Sequence, residues 1–327
     1  MKAFSLAARL VIGFLLVALL PLAGLAWYYL NSFESALRSA VLQNVASVAD
    51  KKADQIDQYI NERLADAHIY AHQQFVRDAV EALLRDGTAL DAAQLHDALL
   101  ALGEHGQYHD ILLIDRAGNI AFSLRGEADL GTNLLHGPYS DTPLADGFRQ
   151  AMTFLYTDLS AFSPYAPSAD AIAAFAVAPV MKGGQPLGAL ALQVNLDTLL
   201  PVVSDPTGLG DSGETVLAFR DGTSVRYTVE LSRRPGAPFS VVVPHDNAAW
   251  PMREALAGRH GRGLVADYAE VPVAAAWHYL PALNWGMVVK IDVAEALAPL
   301  YAKQRATVLA FAVFLSAAAA AALLLGR

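Results

Sequence analysis

Two side chains near the middle of this chain have the chemistry to hold a small ligand. Asp158 lies in a stretch predicted to be a strand, and Tyr165 follows it closely. A carboxylate that faces a concave sheet needs a cation or several hydrogen-bond donors, because an unpaired buried charge is costly. A ligand amine would meet that need. The alternative is that Asp158 bonds backbone groups of the Ser160–Ser163 turn.

Three further side chains, Tyr139, Asp110 and Phe175, would complete a cage around such a ligand. Aromatic walls suit amines and small planar molecules. The alternative for each of these residues is ordinary core packing or a place in a surface turn. The ligand class is left open between an amine, an amino acid and a carboxylate.

Other kinds of site have no support in the residue pattern. The chain has no Cys, which excludes disulfides, thiolate metal sites and cysteine nucleophiles. It lacks the Gly-Lys-Ser/Thr phosphate loop, the Gly-x-Ser-x-Gly elbow and the His-Glu-x-x-His zinc motif. No cofactor, metal site or catalytic residue is therefore predicted, and the chain is not expected to be an enzyme.

Two uncharged apolar runs enclose these candidates, one at residues 10–32 and one at 306–326. Each is long enough to cross about 30 Å of hydrocarbon as a helix. Basic residues outside both runs, Lys2, Arg9 and Arg327, predict that both termini are cytoplasmic. The alternatives are a cleaved signal peptide for the first run, with Gly24-Leu25-Ala26 as its cleavage site, and a buried core helix for the second.

The segment between the runs is acidic. It holds 20 of the 23 Lys and Arg residues and all 32 Asp and Glu residues, which gives a net charge of −12. Such a charge argues against nucleic acid and anionic membrane surfaces as partners.

The first half of this segment predicts helices followed by a sheet. Apolar residues recur at spacings of three and four from Asn31 to Arg85, which predicts one long helix closed by Asp86-Gly87. A second helix is predicted over Asp91–Leu102, and a third around Leu144–Met152. The strand candidates, which together predict one antiparallel sheet, are Tyr108–Asp115, Ile120–Ser123, Thr153–Leu159, Ala171–Val180 and Leu187–Val194.

The second half repeats this plan in a shorter form. The strand and turn at Ile114–Phe122 are matched by those at Phe219–Tyr227, which indicates a duplicated α+β unit. The final helix is predicted to begin with a capping box formed by Asp292 and Glu295, and to continue into the second apolar run. The other predicted elements of this half are strands at Gly213–Phe219, Gly263–Tyr268, Val271–Tyr279 and Trp285–Ile291, and a helix at Asn247–Ala257.

The order of elements and three stretches of sequence resemble the double Cache sensor domains of bacterial chemoreceptors, sensor histidine kinases and diguanylate cyclases. The resemblance covers about Ser32–Leu300. The stretches that carry it are Asp129–Leu134 with Tyr139 and Ser140, Asp158–Ser168 with Ala174-Phe175 and Ala178-Pro179, and Gly208–Thr215 with Leu283–Gly286 and Glu295-Ala296.

This resemblance implies a ligand pocket in the membrane-distal sheet. Amino-acid-sensing relatives hold the ligand ammonium with a Tyr-x-Asp motif and a later Asp, and Tyr156-Thr157-Asp158 matches that motif. Gln193 stands where the later Asp is expected, and the Arg and Trp-Tyr elements that grip the carboxylate do not occur in Gly137–Ala145. Tyr156 and Ser168 join the candidate ligand contacts through these motifs.

The predicted fold is α+β, with two stacked PAS-like Cache modules on a long N-terminal helix and a transmembrane helix at each end. The predicted function is extracytoplasmic sensing of a small molecule and signalling across the bacterial inner membrane, with a homodimer formed through the stalk. The alternative is a membrane-anchored adaptor that binds a protein and no small ligand. The predicted segments are a cytoplasmic end (1–9), a membrane span (10–32), a stalk with long helices (33–103), a membrane-distal module (104–203), a membrane-proximal module (204–292), a juxtamembrane helix (293–305) and a second span (306–326).

Overall fold

The N-terminal helical pattern forms two helices, where the sequence predicts a single one. Helix α1 spans Leu6–Ala71 and helix α2 spans Gln74–Asp86. The ring Nδ1 of His72 lies 2.8 Å from the carbonyl oxygen of His68, and the His72 amide donates to Ile69 instead. In a continuing α-helix the His72 amide would donate to the His68 carbonyl. The helix ends there because the His72 ring occupies that carbonyl.

The computed structural model describes residues 6–86, 95–101 and 108–325. The second predicted helix is seen as helical residues 95–101 (α3), and the rest of that prediction lies outside the described residues. Nowhere in these described ranges does a helix combine the length and apolar character needed to cross a membrane. The two predicted membrane spans stay predictions.

The described chain divides into two units. The first module comprises Lys51–Asp205 and Leu280–Trp285. The second module comprises Met1–Asp50, Pro206–Tyr279 and Gly286–Arg327. Each contains one antiparallel sheet of six strands, so the predicted α+β class with two antiparallel sheets is confirmed.

The first module has the strand order β2-β1-β6-β5-β3, with β4 also paired to β5. Helix α2 packs on β1, β5 and β6, and helix α4 (Pro143–Phe154) packs on β5 and β6. The two long strands are buried along nearly their whole length, as their continuous apolar sequence requires. The strands are β1 Asp110–Asp115, β2 Ile120–Ser123, β3 Asp158–Leu159, β4 Ser163–Tyr165, β5 Ala171–Lys182 and β6 Gln185–Asn195.

The predicted strand at Thr153–Leu159 is wrong for most of its length. Helix α4 continues through Phe154 and ends at Leu155, whose backbone is left-handed with φ of 56°. Only Asp158 and Leu159 remain to pair with β5. The strand β4, which the sequence did not predict, pairs with the start of β5 and brings Tyr165 opposite Ala171.

The second module has the strand order β10-β11-β12-β7-β8-β9. Helix α6 (Trp250–Leu256) packs on β7 and β10, and begins three residues later than predicted. The short helix α5 (Leu200–Ser204) belongs to the first module. The strands are β7 Glu214–Asp221, β8 Ser224–Tyr227, β9 Val242–Pro244, β10 Gly261–Ala266, β11 Pro272–Leu280 and β12 Trp285–Asp292.

The predicted capping box at Asp292 is wrong. Asp292 precedes the short helix α7 (Val293–Ala296) but its side chain makes no capping bond. Glu295 turns instead to the loop before β7, where its carboxylate accepts the backbone amides of Asp211 and Ser212, each at 2.8 Å. After a break at Leu297, helix α8 runs over Ala298–Leu325.

Candidate functional site

Four of the predicted site residues lie within one buried polar network in the first module. Gln193 of β6 is directly opposite Asp110 of β1 and Phe175 of β5. Residues opposite each other in antiparallel strands share one face of the sheet. For these three residues, it is the face on which α4 packs, since Phe175 belongs to the same core cluster as Phe148.

Asp110 begins β1 with almost no solvent exposure. Its carboxylate accepts hydrogen bonds from the Ser123 hydroxyl (2.6 Å) and from the amides of Ile111 (2.7 Å) and Arg125 (3.0 Å). Burial nevertheless raises the pKa of Asp110, and the nearby carboxyl of Asp129 adds to this rise.

Tyr165 and Asp129 form the centre of the network. The buried Tyr165 hydroxyl donates to Asp129 Oδ2 at 2.5 Å, and its ring packs edge to face on Phe175 with centroids 4.8 Å apart. Burial and the charge of Glu127 raise the pKa of Asp129. Burial raises the pKa of Tyr165 as well, together with its bond to Asp129 and the charges of Glu127 and Asp110. The hydroxyl therefore stays protonated and donates.

Ser168 links Glu127 to Gln193 of β6, next to this centre. Its hydroxyl donates to Glu127 Oε2 at 2.6 Å and accepts from Gln193 Nε2 at 2.9 Å. The other Glu127 oxygen lies 3.0 Å from the Nε2 of His109. The network thus extends from His109 to Gln193.

Two acceptor atoms of this network have no partner. Asp129 Oδ1 and Gln193 Oε1 are both shielded from solvent and make no hydrogen bond. A buried acceptor without a hydrogen-bond partner costs about 1–3 kcal/mol of folding free energy. The network therefore has more acceptors than donors. Within the described residues, no group of three His, Asp or Glu side chains is arranged to hold a metal ion.

The remaining predicted residues lie outside this network. The Tyr156 hydroxyl donates to Asp158 Oδ2 at 3.2 Å, and Asp158 Oδ1 accepts the Leu159 amide at 2.9 Å. Asp158 and Tyr156 therefore form a separate pair at the end of α4. Tyr139 packs against the apolar core beneath α4. The structure thus divides the predicted contacts into a buried group of four, a partly exposed pair and a core residue.

Sequence reasoning did not select Glu127 or Asp129 as site residues. Asp129 opens the Asp129–Leu134 stretch that carries the family resemblance, and its side chain is 1% exposed. An acidic residue at the head of a Gly-containing loop ordinarily indicates a turn. Its place beside Tyr165 depends on β4, a strand that the residue pattern did not indicate.

Comparison with known proteins agrees with this architecture. The sequence model of the dCache_1 family, described as a Cache domain, matches residues 33–300. The sequence matches no curated protein.

Solved sensor domains share the fold at low sequence identity. The DctB histidine kinase sensor domain of V. cholerae is 15% identical with a TM-score of 0.51, over 78% of this chain and 98% of that one. The amino acid chemoreceptor PctB of Pseudomonas aeruginosa PAO1, solved with L-Gln, is 16% identical with a TM-score of 0.51, over 81% and 97%. The chemoreceptor CtaA of Pseudomonas fluorescens, solved with L-isoleucine, is 16% identical with a TM-score of 0.50, over 81% and 97%.

A match over most of the chain, supported by two modules of the same architecture, is sufficient to assign the family. Cache domains are sensor domains and are not catalytic. This chain belongs to the dCache_1 family of Cache domains.

Proposed function

We propose that the first module senses a small molecule that carries a protonated amino group, and that this group binds at the network around Tyr165. The observation that carries the proposal is the excess of buried acceptors, with Asp129 Oδ1 and Gln193 Oε1 both lacking a donor. An ammonium supplies three donors and one positive charge. It would satisfy both atoms and offset the carboxylates of Asp110 and Asp129.

The relatives add support for this ligand class. PctB and CtaA were solved with L-Gln and L-isoleucine, and each of these ligands contains an ammonium group. The Arg and Trp-Tyr elements expected for a ligand carboxylate are absent from Gly137–Ala145 in this chain. We therefore place the ammonium, and not a carboxylate, at the centre of recognition.

The signal would leave through the second module and the terminal helices. In that module the Gly208–Ser212 loop contacts both terminal helical segments. Asn44 of α1 donates to the Gly208 carbonyl at 2.7 Å. Glu295 of α7, just before α8, accepts the amides of Asp211 and Ser212. A ligand that favours one of two packed states by a few kcal/mol would shift these helices. We propose that the helices cross the bacterial inner membrane, place both modules in the periplasm and pair in a homodimer. The output would be a kinase or chemotaxis pathway.

A thermal-unfolding screen of the purified full chain tests the ligand class. Protein amino acids and small primary amines are screened first, and each hit is repeated with its deaminated analogue, such as isocaproate for L-leucine. A ligand at 100 times its Kd stabilises the folded state by about 2.7 kcal/mol, which corresponds to a Tm rise of roughly 4 °C for a chain of this length. We expect amines to produce the rise and their deaminated analogues to produce none.

Two matched substitutions locate the site. Asp129→Asn removes the network's central charge and should abolish the amine-dependent rise in Tm. Asp158→Asn makes the same chemical change in the separate pair and should leave the rise intact. If Asp158→Asn abolishes the response and Asp129→Asn does not, the ligand binds at the Tyr156–Asp158 pair. If deaminated analogues stabilise the chain equally well, the proposed ligand class is wrong.

A protein-binding adaptor is the second candidate function, and one surface feature favours it. Phe154, Leu155 and Tyr156 follow one another at the end of α4 with exposures of 65%, 44% and 48%. Consecutive exposed apolar side chains are typical of protein contact sites. Under this alternative no amine changes the Tm. Cross-linking in membranes should then join this chain to a partner protein, and Phe154→Ser should reduce the yield of the cross-linked product.

A further inference from the structure

An open cleft of about 570 Å³ lies on the second module, a region to which the proposed amine-sensing function gives no ligand. The start of helix α6 forms one wall, and the hairpin between β10 and β11 forms another. This volume falls within the range of ordinary small-molecule sites. The cleft is therefore large enough for a small metabolite.

Arg253 of α6 lines the cleft with a guanidinium that is poorly satisfied. Its Nε is shielded from solvent and has no acceptor. Its Nη1 makes one long hydrogen bond, 3.4 Å to the backbone carbonyl of Asp246. The planar guanidinium fork matches the two oxygens of a carboxylate. Arg253 is thus suited to an anionic group of a ligand.

Trp250 lies three residues before Arg253, and side chains at this spacing are neighbours on a helix. Its indole is 47% exposed, and it packs edge to face on Trp277 with centroids 5.0 Å apart. That contact holds the ring at the cleft wall. The face of an exposed Trp attracts cations.

Two exposed carboxylates, those of Asp246 and Glu270, also line the cleft. The third acid of the lining, Asp267, is buried and bonds Lys290 and Arg233. Its negative charge is therefore offset inside the protein. The cleft consequently presents one cationic side chain next to an aromatic face and two carboxylates.

We propose that this cleft binds a small zwitterion, with its carboxylate on Arg253 and its cationic nitrogen between Trp250 and the carboxylates of Asp246 and Glu270. A purely anionic ligand would meet two negative side chains without compensation. A purely cationic ligand would leave Arg253 without an acceptor. Only a molecule that carries both charges a few ångströms apart satisfies both halves of the lining.

Three probes of nearly the same shape test the proposal by calorimetric titration of the purified full chain. Glycine betaine carries both charges. Choline lacks the carboxylate, and tert-butylacetate has a neutral carbon in place of the cationic nitrogen. We expect glycine betaine to bind at least ten times more tightly than either analogue and to change the tryptophan fluorescence. Equal affinity for all three probes, or no heat with millimolar glycine betaine, overturns the proposal.

Substitutions at the two walls show whether the calorimetric binding signal comes from this cleft. Arg253→Gln should weaken glycine betaine at least ten-fold and remove its advantage over choline, while Arg253→Lys should recover only part of the affinity because it lacks the fork. Trp250→Leu should weaken glycine betaine and choline alike. Arg259→Gln is the matched control, since Arg259 bonds Glu254 and does not line the cleft.

The first module is tested separately by Asp129→Asn. Heat that persists in Asp129→Asn and is lost in Arg253→Gln belongs to the cleft of the second module. The reverse pattern assigns it to the network around Tyr165 and overturns the zwitterion site. A single cooperative melt of each free variant shows that the protein still folds.

Discussion

Each module contains one buried ionic network, and the two networks are balanced in opposite ways. In the second module, Lys290 is 1% exposed and lies 2.8 Å from Glu214, in contact with Asp267 as well. Arg233 bridges Asp267 (3.2 Å) and Asp292 (2.5 Å). In the first module, the Tyr165 hydroxyl bonds Asp129, and the charges of three carboxyl groups, those of Asp129, Glu127 and Asp110, raise its pKa. One network thus contains its own cations, and the other is built mainly from acceptors.

The direction of the pKa shifts shows the same contrast. Burial, the largest single influence, would raise the pKa values of Glu214 and Asp267, but the hydrogen bonds from Lys290 and from backbone amides together outweigh it and lower both. Burial also acts to lower the pKa of Lys290, and its two carboxylate partners raise it instead. In the first module, burial prevails and raises the pKa of Asp110 and of Asp129. We infer that the second network stabilises the fold, whereas the first has a free-energy deficit that a cationic ligand would offset.

The largest expected effect comes from breaking the balanced network. Lys290→Met should lower the free energy of unfolding by about 3–5 kcal/mol, because it leaves Glu214 buried without a counter-charge and Asp267 with Arg233 alone. Urea unfolding of the full chain, followed by circular dichroism, measures the loss.

A surface lysine of the first module provides the control. Lys182→Met removes an ion pair with Glu81 in which the lysine is 53% exposed, and should cost less than about 1 kcal/mol. A loss below about 1 kcal/mol for Lys290→Met would mean that the second network is not self-compensated.

Changing one Asp to Asn in each module should change the free energy of unfolding by a smaller amount, and with opposite signs in the two modules. Burial raises the pKa of Asp129 in the folded state, so wild type loses stability as the pH rises through the usual Asp range and the raised folded pKa. Asp129→Asn should therefore be more stable than the ligand-free wild type near neutral pH and lose this advantage in acid.

Asp267→Asn should behave in the opposite way. The lowered pKa of Asp267 contributes stability that is present above its usual pKa and is lost as the pH falls through the folded one. This variant should be less stable than wild type at neutral pH, and the difference should shrink on acidification. Thermal melts at several pH values measure the stability of Asp129→Asn and of Asp267→Asn relative to wild type. The same sign in both modules would refute the contrast between the two networks.

Much of the fold could be predicted because its main elements have strong local signals. Strand β2 has the predicted bounds, and β5 and β6 extend only a few residues beyond them. The turn before β2 also follows from its residues, since Asp115 accepts the amide of Asn119 at 2.9 Å. The pattern failed where side chains compete for backbone groups, as at His72, and where a helix continues into a segment of high strand propensity, as at Phe154.

The site was less accessible to sequence reasoning because tertiary contacts assemble it. Asp110, Tyr165 and Phe175 were selected for their chemistry and Ser168 for its place in a family motif, and the fold brings them to one network. Asp129 completes that network from a loop 36 positions before Tyr165. No local pattern encodes a contact of this range. The residue pattern also did not separate Asp158 from Tyr165, because the course of the chain between them depends on two very short strands.

The smallest expected effect concerns the loop that joins α1 to α7 and α8 in the second module. Glu295 accepts from Asp211 and Ser212, and Gly210 has a φ of +68° with its Cα so close to Glu295 that an added Cβ would lie 2.2 Å from the carboxylate. Hydrogen bonds from Ser212 lower the pKa of Glu295, so its contribution is present above the usual Glu pKa and is lost as the pH falls through the folded one.

Glu295→Gln retains one acceptor oxygen but loses the charge, and should cost about 1 kcal/mol at neutral pH. Glu254→Gln, which removes the surface pair with Arg259, should leave the Tm unchanged. If the loop couples the sensor to its terminal helices, Glu295→Gln should also reduce the ligand-induced change in distance between spin labels on α1 and α8, with amine affinity unaltered. An unchanged distance response would leave Glu295 as a structural contact of the second module, and the signal would then have to pass from sheet to helix through the β12–α7 junction alone.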